Sequence, residues 1–436
     1  MNGMALKSLL LYVFPALLAW GWYVGRLKRL EKRSLSIKSQ EHEAGLTEPS
    51  SLHPVIDPVL CVGCKACVKA CPEKNVLGMI KGKAELIAPT HCIGHGACKT
   101  ACPLDAITLV FGTEKRGVDI PLIHPSFETN VAGVFIAGEL GGMGLIRNAV
   151  TQGAQAVDSV CQLKSIGKGD MLDLVIIGAG PAGFSASLAA MQHNLRCVTV
   201  EQETLGGTVS HYPRGKIVMT APVNLPLVGK TNFRETTKEA LLEFWEGVEK
   251  KTGVKINYCE RVEAVTRKEN FIEVETQRAT YKTHAVLLAI GRRGTPRKLG
   301  APGEELAKVV YRLIDPGQYQ GKHVLVVGGG DSALEAATRI AGEPGTTVTL
   351  SYRGEVFSRV RQKNRDKVAD QEARGRLRVM MSSNVVSIAE KHVEMEVGGE
   401  PEKIANDAVI VCAGGILPTP FLKKIGINVE TKFGTE

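Results

Sequence analysis

The sequence predicts an α/β protein with two similar parallel-sheet domains, a small α+β domain and one N-terminal transmembrane helix. Three observations support this prediction. A pattern of strand, glycine-rich loop, helix and strand occurs twice, seven of the eleven cysteines fall between Cys61 and Cys102, and residues 8–25 carry no charge. With 436 residues, 44% hydrophobic and 23% charged, the chain has about three domains' worth of residues and can bury a core.

The charge distribution argues against a nucleic-acid-binding protein. The net charge is +9, but residues 26–33 alone contribute +4 of it. The remaining charge is dispersed, and aromatic residues make up only 5% of the chain, which is low for base-stacking modules. Clustered cysteines in a long chain indicate a metal centre, and thiolate ligands persist in a reducing compartment. We therefore expect the body of the protein to lie in the cytoplasm.

The N-terminal segment has the composition of a membrane anchor. Residues 8–25, SLLLYVFPALLAWGWYVG, would span about 27 Å as a helix, close to the thickness of the hydrocarbon core. A cleaved signal peptide is disfavoured because the strong positive charge follows the apolar run, and a buried helix because no face is polar. The sequence thus predicts an anchor with a basic flank over 1–34, a polar linker over 35–51, and a single-pass protein of the cell membrane.

A cysteine motif begins at Cys61 and reads C-x2-C-x2-C-x3-C-P. This spacing is typical of iron–sulfur clusters, whereas a zinc site normally uses two separated ligand pairs. Residues 52–110 resemble a bacterial two-cluster ferredoxin. The resemblance implies that one four-iron cluster is held by Cys61, Cys64, Cys67 and Cys102.

The second half of this domain departs from the ferredoxin pattern, because His95 stands where a cysteine belongs. The second cluster is left with Cys71, Cys92 and Cys98. Either His95 is the fourth ligand of a four-iron cluster, or the site holds three irons, or His95 only fills space. His91 is interpreted as a hydrogen-bond donor near the cluster or as a surface residue.

The first glycine-rich loop follows the apolar strand at 173–177 and reads G-A-G-P-A-G. Its glycines, Gly178, Gly180 and Gly183, allow a tight turn and the close approach of a pyrophosphate to a helix N-terminus. After the helix, a second strand ends at Glu201, where an acid can bind a ribose. This order of elements predicts a dinucleotide-binding domain.

The second loop follows the strand at 323–327 and reads G-G-G-D-S-A. Its key positions are Gly328, Gly330 and Ala333. No acid ends the next strand; the basic residues there are Arg353, Arg359 and Arg361. Basic residues at this place favour NADPH over NADH, although an ordinary solvated basic helix is the alternative.

Together these stretches resemble the thioredoxin-reductase-like branch of the two-dinucleotide-binding-domain flavoproteins. The resemblance covers 171–436 and implies an FAD-binding domain over 171–297, with Gly291 in the crossover LLAIGRRG. It further implies an NAD(P)-binding domain over 298–415 and a return to the FAD domain over 416–436. The final FAD-closing segment of that family is absent after this point.

The missing segment is found upstream. Residues 129–160 match the family's closing motif, with Glu139 in place of its aspartate. We therefore predict a circular permutation in which 111–170 is the FAD-closing segment, with a decayed leftover of another flavoprotein as the alternative. The resemblance implies that Gly138 and Glu139 meet the FAD ribityl-phosphate region, and that a helix from near Gly142 points at the flavin. The tetrapeptide FGTE occurs at both ends that such a permutation would join, 111–114 and 433–436.

These parts predict a membrane-anchored flavin/iron–sulfur oxidoreductase that passes electrons from NADPH through FAD and two clusters. The expected acceptor is an electron-carrier protein or a quinone; the reverse direction, from ferredoxin to NADP+, is equally compatible. Dithiol reduction is disfavoured because the nucleotide domain has no C-x-x-C pair. A redox sensor or anchoring subunit without turnover is the alternative, and a homodimer is allowed. His211 and Tyr212 lie in the flavin-facing region but are interpreted as packing, so no catalytic acid or base is predicted.

Overall fold

The computed structural model describes residues 3–44, 46–49, 52–73, 75–92, 94–114, 117–142, 144–220, 222–233, 235–358 and 360–435, apart from the side chains of 3–12 and 16. The chain divides into two compact units. The first comprises Met1–Lys115 and Gly434–Glu436, and the second comprises Arg116–Phe433.

Helix α1 of the first unit, Gly3–Glu43, is longer than the sequence predicts. Residues 35–43, predicted as part of a polar linker, continue the helix. The physical reason is that residues 26–43 contain no glycine or proline and are rich in helix-forming residues. In addition, Ser34 and Glu41 are both only 8% exposed, so this part of α1 packs against the rest of the unit.

The predicted transmembrane helix is not supported. Among the described residues, no helix has the length and apolar character that crossing a membrane requires. The side chains of residues 3–12 and 16, which form part of the predicted span, lie outside that description. Within the described part of α1, large apolar side chains are exposed, including Phe14 at 62%, Trp20 at 67% and Trp22 at 67%.

The rest of the first unit is a small α+β domain. Its elements are β1 (His53–Ile56), α2 (Ala66–Ala70), β2 (Leu77–Ile80), β3 (Lys83–Leu86), α3 (Ala97–Thr100) and β4 (Ile107–Val110). Strand β1 pairs antiparallel with β4, and β2 forms an antiparallel hairpin with β3. The two short helices each follow a cysteine-containing loop, so both loops lie against the same small apolar core.

The second unit begins with a seven-stranded sheet. Its strands and helices, with neighbouring ribbons, are β5 (Val118–Pro121), β6 (Val134–Ile136), α4 (Ile146–Val160), β7 (Leu172–Ile177), α5 (Pro181–Gln192), β8 (Cys197–Val200), β9 (Ile217–Met219), β10 (Val223–Leu225), β11 (Gly229–Thr231), β12 (Glu235–Thr237), α6 (Lys238–Thr252), β13 (Ile256–Asn257), β14 (Val262–Arg267), β15 (Ile272–Thr276) and β16 (Thr280–Leu288). The strand order is β13-β8-β7-β16-β15-β14, and β6 also pairs with β16. Because residues 174–177 of β7 are buried on both faces of the sheet, they form a continuous apolar run.

A second, parallel sheet follows along the chain. Its elements, again with neighbouring ribbons, are β17 (Thr295–Pro296), β18 (Val309–Val310), β19 (His323–Val327), α7 (Asp331–Ile340), β20 (Thr347–Ser351), α8 (Gln362–Ala373), β21 (Leu377–Met380), β22 (Ser383–Ile388), β23 (His392–Val397), β24 (Glu400–Ala405), β25 (Ala408–Val411), β26 (Gly415–Ile416), α9 (Thr419–Ile425) and β27 (Val429–Lys432). The five parallel strands run in the order β18-β25-β19-β20-β21. The pair β17–β26 lies at the two predicted crossovers between the domains.

The segment 111–170 contributes directly to the first sheet. Strand β6 pairs in parallel with β16, and all three of its residues are buried. Helix α4 packs on α5 so closely that a Cβ at Gly153 would lie 2.1 Å from the carbonyl oxygen of Ala182. Strand β5 pairs antiparallel with β27. Helix α4 begins at Ile146 rather than near Gly142, because Gly142 adopts a φ of +113°, outside the helical region.

Candidate functional site

The first glycine-rich loop has the geometry that a pyrophosphate requires. Gly178 has a φ of +104°, and a Cβ there would lie 2.6 Å from the carbonyl oxygen of Ala289. A Cβ at Gly183 would lie 1.8 Å from the carbonyl oxygen of Gly178. By contrast, Gly180 directly precedes α5 and faces open space, with its nearest neighbour 3.8 Å from the Cβ position. Two glycines therefore form the turn, and the third leaves the helix N-terminus open to a phosphate.

Glu201 follows β8 and lies against this loop. Its Oε2 accepts a hydrogen bond from the N–H of Ala179 (2.7 Å), and its Oε1 accepts one from the N–H of Glu203 (2.9 Å). Burial raises the pKa of the Glu201 carboxyl, although the N–H donors act in the opposite direction. The carboxylate is thus fixed beside the loop, where each oxygen retains a lone pair for a ribose hydroxyl.

The predicted closing segment reaches the same loop. Gly138 has a φ of +84°, and a Cβ there would lie 2.9 Å from Cβ of Ala182, in the first turn of α5. Burial raises the pKa of the Glu139 carboxyl, and the positive charge of Arg292 acts against this rise. Gly291, in the crossover, has a φ of +64° with open space around it. The structure therefore brings Glu201 to the loop and Gly138 to the first turn of α5.

The second loop repeats the geometry of the first. Gly328 has a φ of +146°, and a Cβ there would lie 2.3 Å from the carbonyl oxygen of Cys412. Gly330 precedes α7 and has nothing within 4 Å of its Cβ position. Ala333 is fully buried, and its Cβ lies 3.1 Å from the Cβ position of Gly328. This loop also fits a pyrophosphate.

Of the two predicted basic residues that the structure describes, Arg353 is the one without an ion pair to a described acidic side chain. Arg353 is exposed just after β20 and, among the described residues, forms no ion pair with an acidic side chain. Arg361 is engaged with Asp331: its N–H donates to Oδ1 over 3.1 Å, and its guanidinium lies 3.8 Å from Oδ2. Arg359 lies outside the described residues.

The eight predicted cluster ligands line two separate cavities in the first unit. The first cavity is lined by Cys61, Cys64, Cys67 and Cys102, and the second by Cys71, Cys92, His95 and Cys98. In the described part of the chain, no three His, Cys, Asp or Glu side chains converge closely enough to hold a single metal ion. The two cavities therefore define the two donor sets, four thiols and three thiols with an imidazole. Assignment of iron to these residues stays a prediction.

The two cavities share one pattern of donor exposure. Cys67 is 6% exposed, and burial raises the pKa of its thiol; Cys92 and Cys98 are both 8% exposed, with the same effect on their pKa values. Cys64, in the first cavity, is exposed. In the second cavity the exposed donor is His95. Each cavity thus combines buried thiols with one donor at the surface.

One cluster of charged side chains was not predicted from the sequence. His211 Nε2 lies 3.1 Å from Glu203 Oε2, and its Nδ1 contacts the guanidinium of Arg312. Burial, followed by the positive charge of Arg293, lowers the pKa of His211 to about 4, so its imidazole is neutral at pH 7. Glu203 and Arg312 are 109 positions apart in the chain, and the only sequence signal is the arginine pair that follows the first crossover. The cluster joins the two dinucleotide-type domains, because Glu203 and His211 belong to the first and Arg312 to the second.

Comparison with known families identifies the larger part of the chain. Residues 175–434 match the family model of pyridine nucleotide-disulphide oxidoreductases. The chain belongs to this family. Residues 53–103 match the model of a 4Fe-4S dicluster domain. The predicted resemblance to a flavoprotein fused to a two-cluster ferredoxin is therefore confirmed, and the protein is an FAD-dependent NAD(P)H oxidoreductase with an iron–sulfur domain.

Individual relatives and a solved structure extend this comparison. The chain is 29% identical to the bacilliredoxin reductase Bdr of Bacillus subtilis over 267 residues, which is 60% of this chain and 82% of that protein. It is 32% identical to a ferredoxin–NADP reductase of Ignicoccus hospitalis over 43% of this chain, and spans little more than half, 58%, of that relative. Among solved structures, the bacillithiol disulfide reductase of Bacillus cereus matches with a TM-score of 0.53 at 25% identity, covering 59% of this chain and 82% of that one.

This pyridine nucleotide-disulphide oxidoreductase has no pair of neighbouring cysteines in its family-matching part. Residues 175–434 contain only Cys197, Cys259 and Cys412, which are widely separated in sequence. Burial raises the pKa of the Cys197 and Cys412 thiols to about 12, so neither is a reactive thiolate at pH 7. Cys259 is exposed but has no neighbouring cysteine in the sequence, so residues 175–434 contain no adjacent thiol pair for dithiol exchange.

Proposed function

We propose that the protein passes electrons between NADPH, FAD and two iron–sulfur clusters, and exchanges them with an electron-carrier protein or a quinone. The observation that carries this proposal is that one chain joins two loops shaped for pyrophosphates to two cavities lined by cluster ligands. When bound, FAD accepts a hydride and releases electrons singly, which connects a two-electron donor with one-electron clusters. One relative is named a ferredoxin–NADP reductase, and this pairing of ferredoxin with NADP is compatible with electron transfer in either direction.

The chain's own residues hold and orient these groups. The turn at Gly178 and the open N-terminus of α5 would bind the FAD pyrophosphate, with Glu201 at the ribose. The corresponding turn at Gly328 would bind NADPH, and the exposed Arg353 would contact its 2′-phosphate. These are binding and orienting roles, and no side chain is assigned as a proton donor or acceptor.

We further propose that 111–170 is the FAD-closing segment of a permuted reductase. The parallel pairing of β6 with β16 supports this, as does the contact of Gly138 with the first turn of α5. The burial of all three residues of β6 in the sheet argues against the alternative that 111–170 is a decayed leftover of another flavoprotein. The predicted domain boundaries at 171, 298 and 416 are part of the same proposal.

For the second cluster we propose His95 as the fourth ligand. The supporting observation is that His95 lines the same cavity as Cys71, Cys92 and Cys98. The two cavities have similar volumes, about 350 and 370 Å³ including space open to solvent, although the second is lined by one thiol fewer. An imidazole ligand in place of a thiolate removes negative charge and raises the reduction potential. A three-iron site is the alternative outcome.

We propose that the outside partner exchanges electrons at the first cluster. Cys64 is exposed there, and the cavity is bordered by exposed apolar side chains, with Val62 at 66% and Leu104 at 47%. Val59, just before this loop, is 85% exposed. No large apolar residue that lines the second cavity is exposed in the described structure. Exposed apolar groups around a redox centre suit either a carrier protein or a lipophilic quinone.

Membrane attachment through α1 is also a proposal. Its support is the exposed aromatic and aliphatic surface that includes Phe14, Leu17 and Trp20. The basic residues at 26–33 that follow would lie at the cytoplasmic face of the cell membrane, with the chain after them in the cytoplasm.

An anaerobic titration of the purified protein with NADPH and with NADH, followed by absorbance and EPR, tests the function. We expect flavin bleaching, then reduction of two cluster signals, and steady turnover once an artificial one-electron acceptor is added. Bleaching without turnover would favour a redox sensor, and the absence of bleaching would contradict the oxidoreductase proposal.

A further inference from the structure

We propose that Lys83, on the β2–β3 hairpin, raises the reduction potential of the first cluster, and that α1 holds the hairpin in the position where it does so. The inference rests on the proposed ligand set of Cys61, Cys64, Cys67 and Cys102. It assigns Lys83 as a positioning and tuning residue, which touches a ligand and not the cluster.

Two groups of the hairpin contact Cys61. The Lys83 ammonium donates a hydrogen bond to the Cys61 carbonyl oxygen over 2.5 Å, and the N–H of Ala84 donates to Cys61 Sγ over 3.5 Å. Cys61 is 9% exposed and Ala84 is 4% exposed, so the surroundings screen these charges less than water would. A cation and an N–H dipole beside a thiolate ligand favour the more negative, reduced form of a cluster, which raises its potential.

The second cavity has the opposite charge at its border. Its described lining contains Glu73 and no lysine. Glu73 stands two residues after Cys71, so its carboxylate places negative charge at the edge of this donor set. The second cluster has one thiolate ligand fewer, which raises its reduction potential, whereas the negative charge of Glu73 lowers it. Lys83 raises the reduction potential of the first cluster. The two potentials should therefore lie closer together than the ligand count alone predicts.

Helix α1 fixes the hairpin from its outer side. Glu31 Oε1 accepts a hydrogen bond from the N–H of Lys81 (2.7 Å), at the turn of the hairpin, and Lys38 pairs with Glu85 over 2.6 Å. Ser34 fills the space beside Gly78, where a Cβ would lie only 2.6 Å from Ser34 Oγ. Because β2 and β3 are each four residues long, these contacts are a large share of what orients the hairpin.

The test is an EPR-monitored redox titration of the full-length protein carrying Lys83→Met, with Lys83→Arg and Lys69→Met as matched variants. Lys69 is an exposed lysine in the last turn of α2, in the same unit. We expect Lys83→Met to make reduction of the first cluster about tenfold less favourable, which is ~59 mV for a one-electron couple. The second cluster is an internal reference, and its reduction potential should not change. Lys83→Arg keeps the positive charge, so the first cluster should retain most of its native potential. Lys69→Met should change the potential of neither cluster.

An unchanged first potential in Lys83→Met, an equal shift of both clusters, or an equal effect of Lys69→Met would each overturn the role of Lys83. Glu31→Ala provides a second measurement, and we expect a smaller shift in the same direction. If the unmodified protein lacks a four-iron signal for the first site, the proposed ligand set is wrong as well. A four-iron centre that is present but unshifted contradicts the inference alone.

Discussion

Phe111 and Thr435 form an antiparallel bridge, in which the N–H of Phe111 donates to the carbonyl oxygen of Thr435 over 3.2 Å. The N–H of Gly434 in turn donates to the carbonyl oxygen of Phe111 over 2.8 Å. The end of the chain therefore returns to the start of the segment 111–170. These residues belong to the two copies of FGTE, so the repeated tetrapeptides meet at the junction that a circular permutation would create.

The closing segment should be required for flavin binding. We expect a protein of residues 171–436 to purify without stoichiometric FAD, because it lacks β6, Gly138 and α4. Residues 111–436 should bind FAD fully, as measured by the ratio of flavin to protein absorbance. Full flavin retention by the shorter protein would show that 111–170 does not close the site.

The packing of α4 against α5 offers a point substitution for the same idea. Gly153→Val should reduce FAD content several-fold, because its Cβ would lie 2.1 Å from a backbone oxygen of α5 and the helices must separate. Gly247→Val, in α6, is the matched control, since nothing lies within 4 Å of its Cβ position. Equal flavin content in the two variants would mean that this helix contact does not support the site.

The two clusters should be chemically unequal. We expect the first to behave as a low-potential four-iron centre and the second to titrate at higher potential, because it has one thiolate fewer. His95→Cys should lower the second potential, and His95→Ala should leave a three-iron EPR signal. Two indistinguishable four-iron centres that are unaffected by His95→Ala would refute imidazole ligation.

Arg353 should determine the choice of nucleotide. A charge-assisted contact with a phosphate contributes about 1.5–3 kcal/mol, so Arg353→Ala should weaken NADPH binding by roughly 10- to 150-fold and leave NADH binding nearly unchanged. Affinities follow from flavin fluorescence or rapid-reaction kinetics. Arg374→Ala, which removes an arginine paired with Asp370 on α8, should affect neither nucleotide. Equal losses for both nucleotides in Arg353→Ala would contradict its assignment to the 2′-phosphate.

Membrane attachment should depend on the beginning of α1 and not on its end. We expect removal of residues 1–25 to release the protein from washed membranes with its flavin and clusters intact. Removal of 1–34 should release it too but lower the thermal stability of the first unit, because Glu31 and Ser34 then no longer hold the β2–β3 hairpin. A protein of residues 26–436 that still sediments with membranes would show that another surface binds lipid.

The neutral imidazole of His211 should make stability dependent on pH. Its pKa of about 4 lies below the value of about 6.5 expected in the unfolded chain, so between these values the unfolded state binds more protons. The free energy of unfolding should therefore fall as the pH decreases from 6.5 towards 4, by at most about 1.4 kcal/mol per unit. Thermal unfolding between pH 5 and 7.5 measures this slope, and His211→Asn should flatten it.

Asp173→Asn is the control for this slope. Although burial acts in the opposite direction, hydrogen bonds from Arg196 lower the pKa of Asp173 to about 2. Its stabilising effect is present above about pH 3.9 and is lost only as the pH falls towards 2, so Asp173→Asn should reduce stability equally at pH 5 and 7.5. If His211→Asn also leaves the slope unchanged, the buried imidazole is not responsible for it.

The sequence by itself determined the parts of this protein whose chemistry is local. A glycine such as Gly178 is required wherever the backbone must adopt a positive φ against a neighbouring strand, and a cysteine motif fixes its ligand spacing within a dozen residues. These local rules were sufficient to predict the flavoprotein resemblance and the dicluster domain, which the family comparisons confirm, whereas the relation of 129–160 to the flavoprotein stays a prediction. They failed for residues 35–43, where a polar composition suggested a linker although nothing in it interrupts a helix.

The tertiary structure alone decided which distant groups meet. No spacing rule connects Lys83 with Cys61, or His211 with Arg312, because such contacts depend on how a hairpin or a whole domain packs. The same holds for β6, whose three apolar residues become a sheet strand only because β16 offers them an unpaired edge. Local sequence specifies turns, helices and ligand motifs, whereas burial and the resulting weak screening of charge, which set pKa values and redox potentials, exist only once the chain has folded.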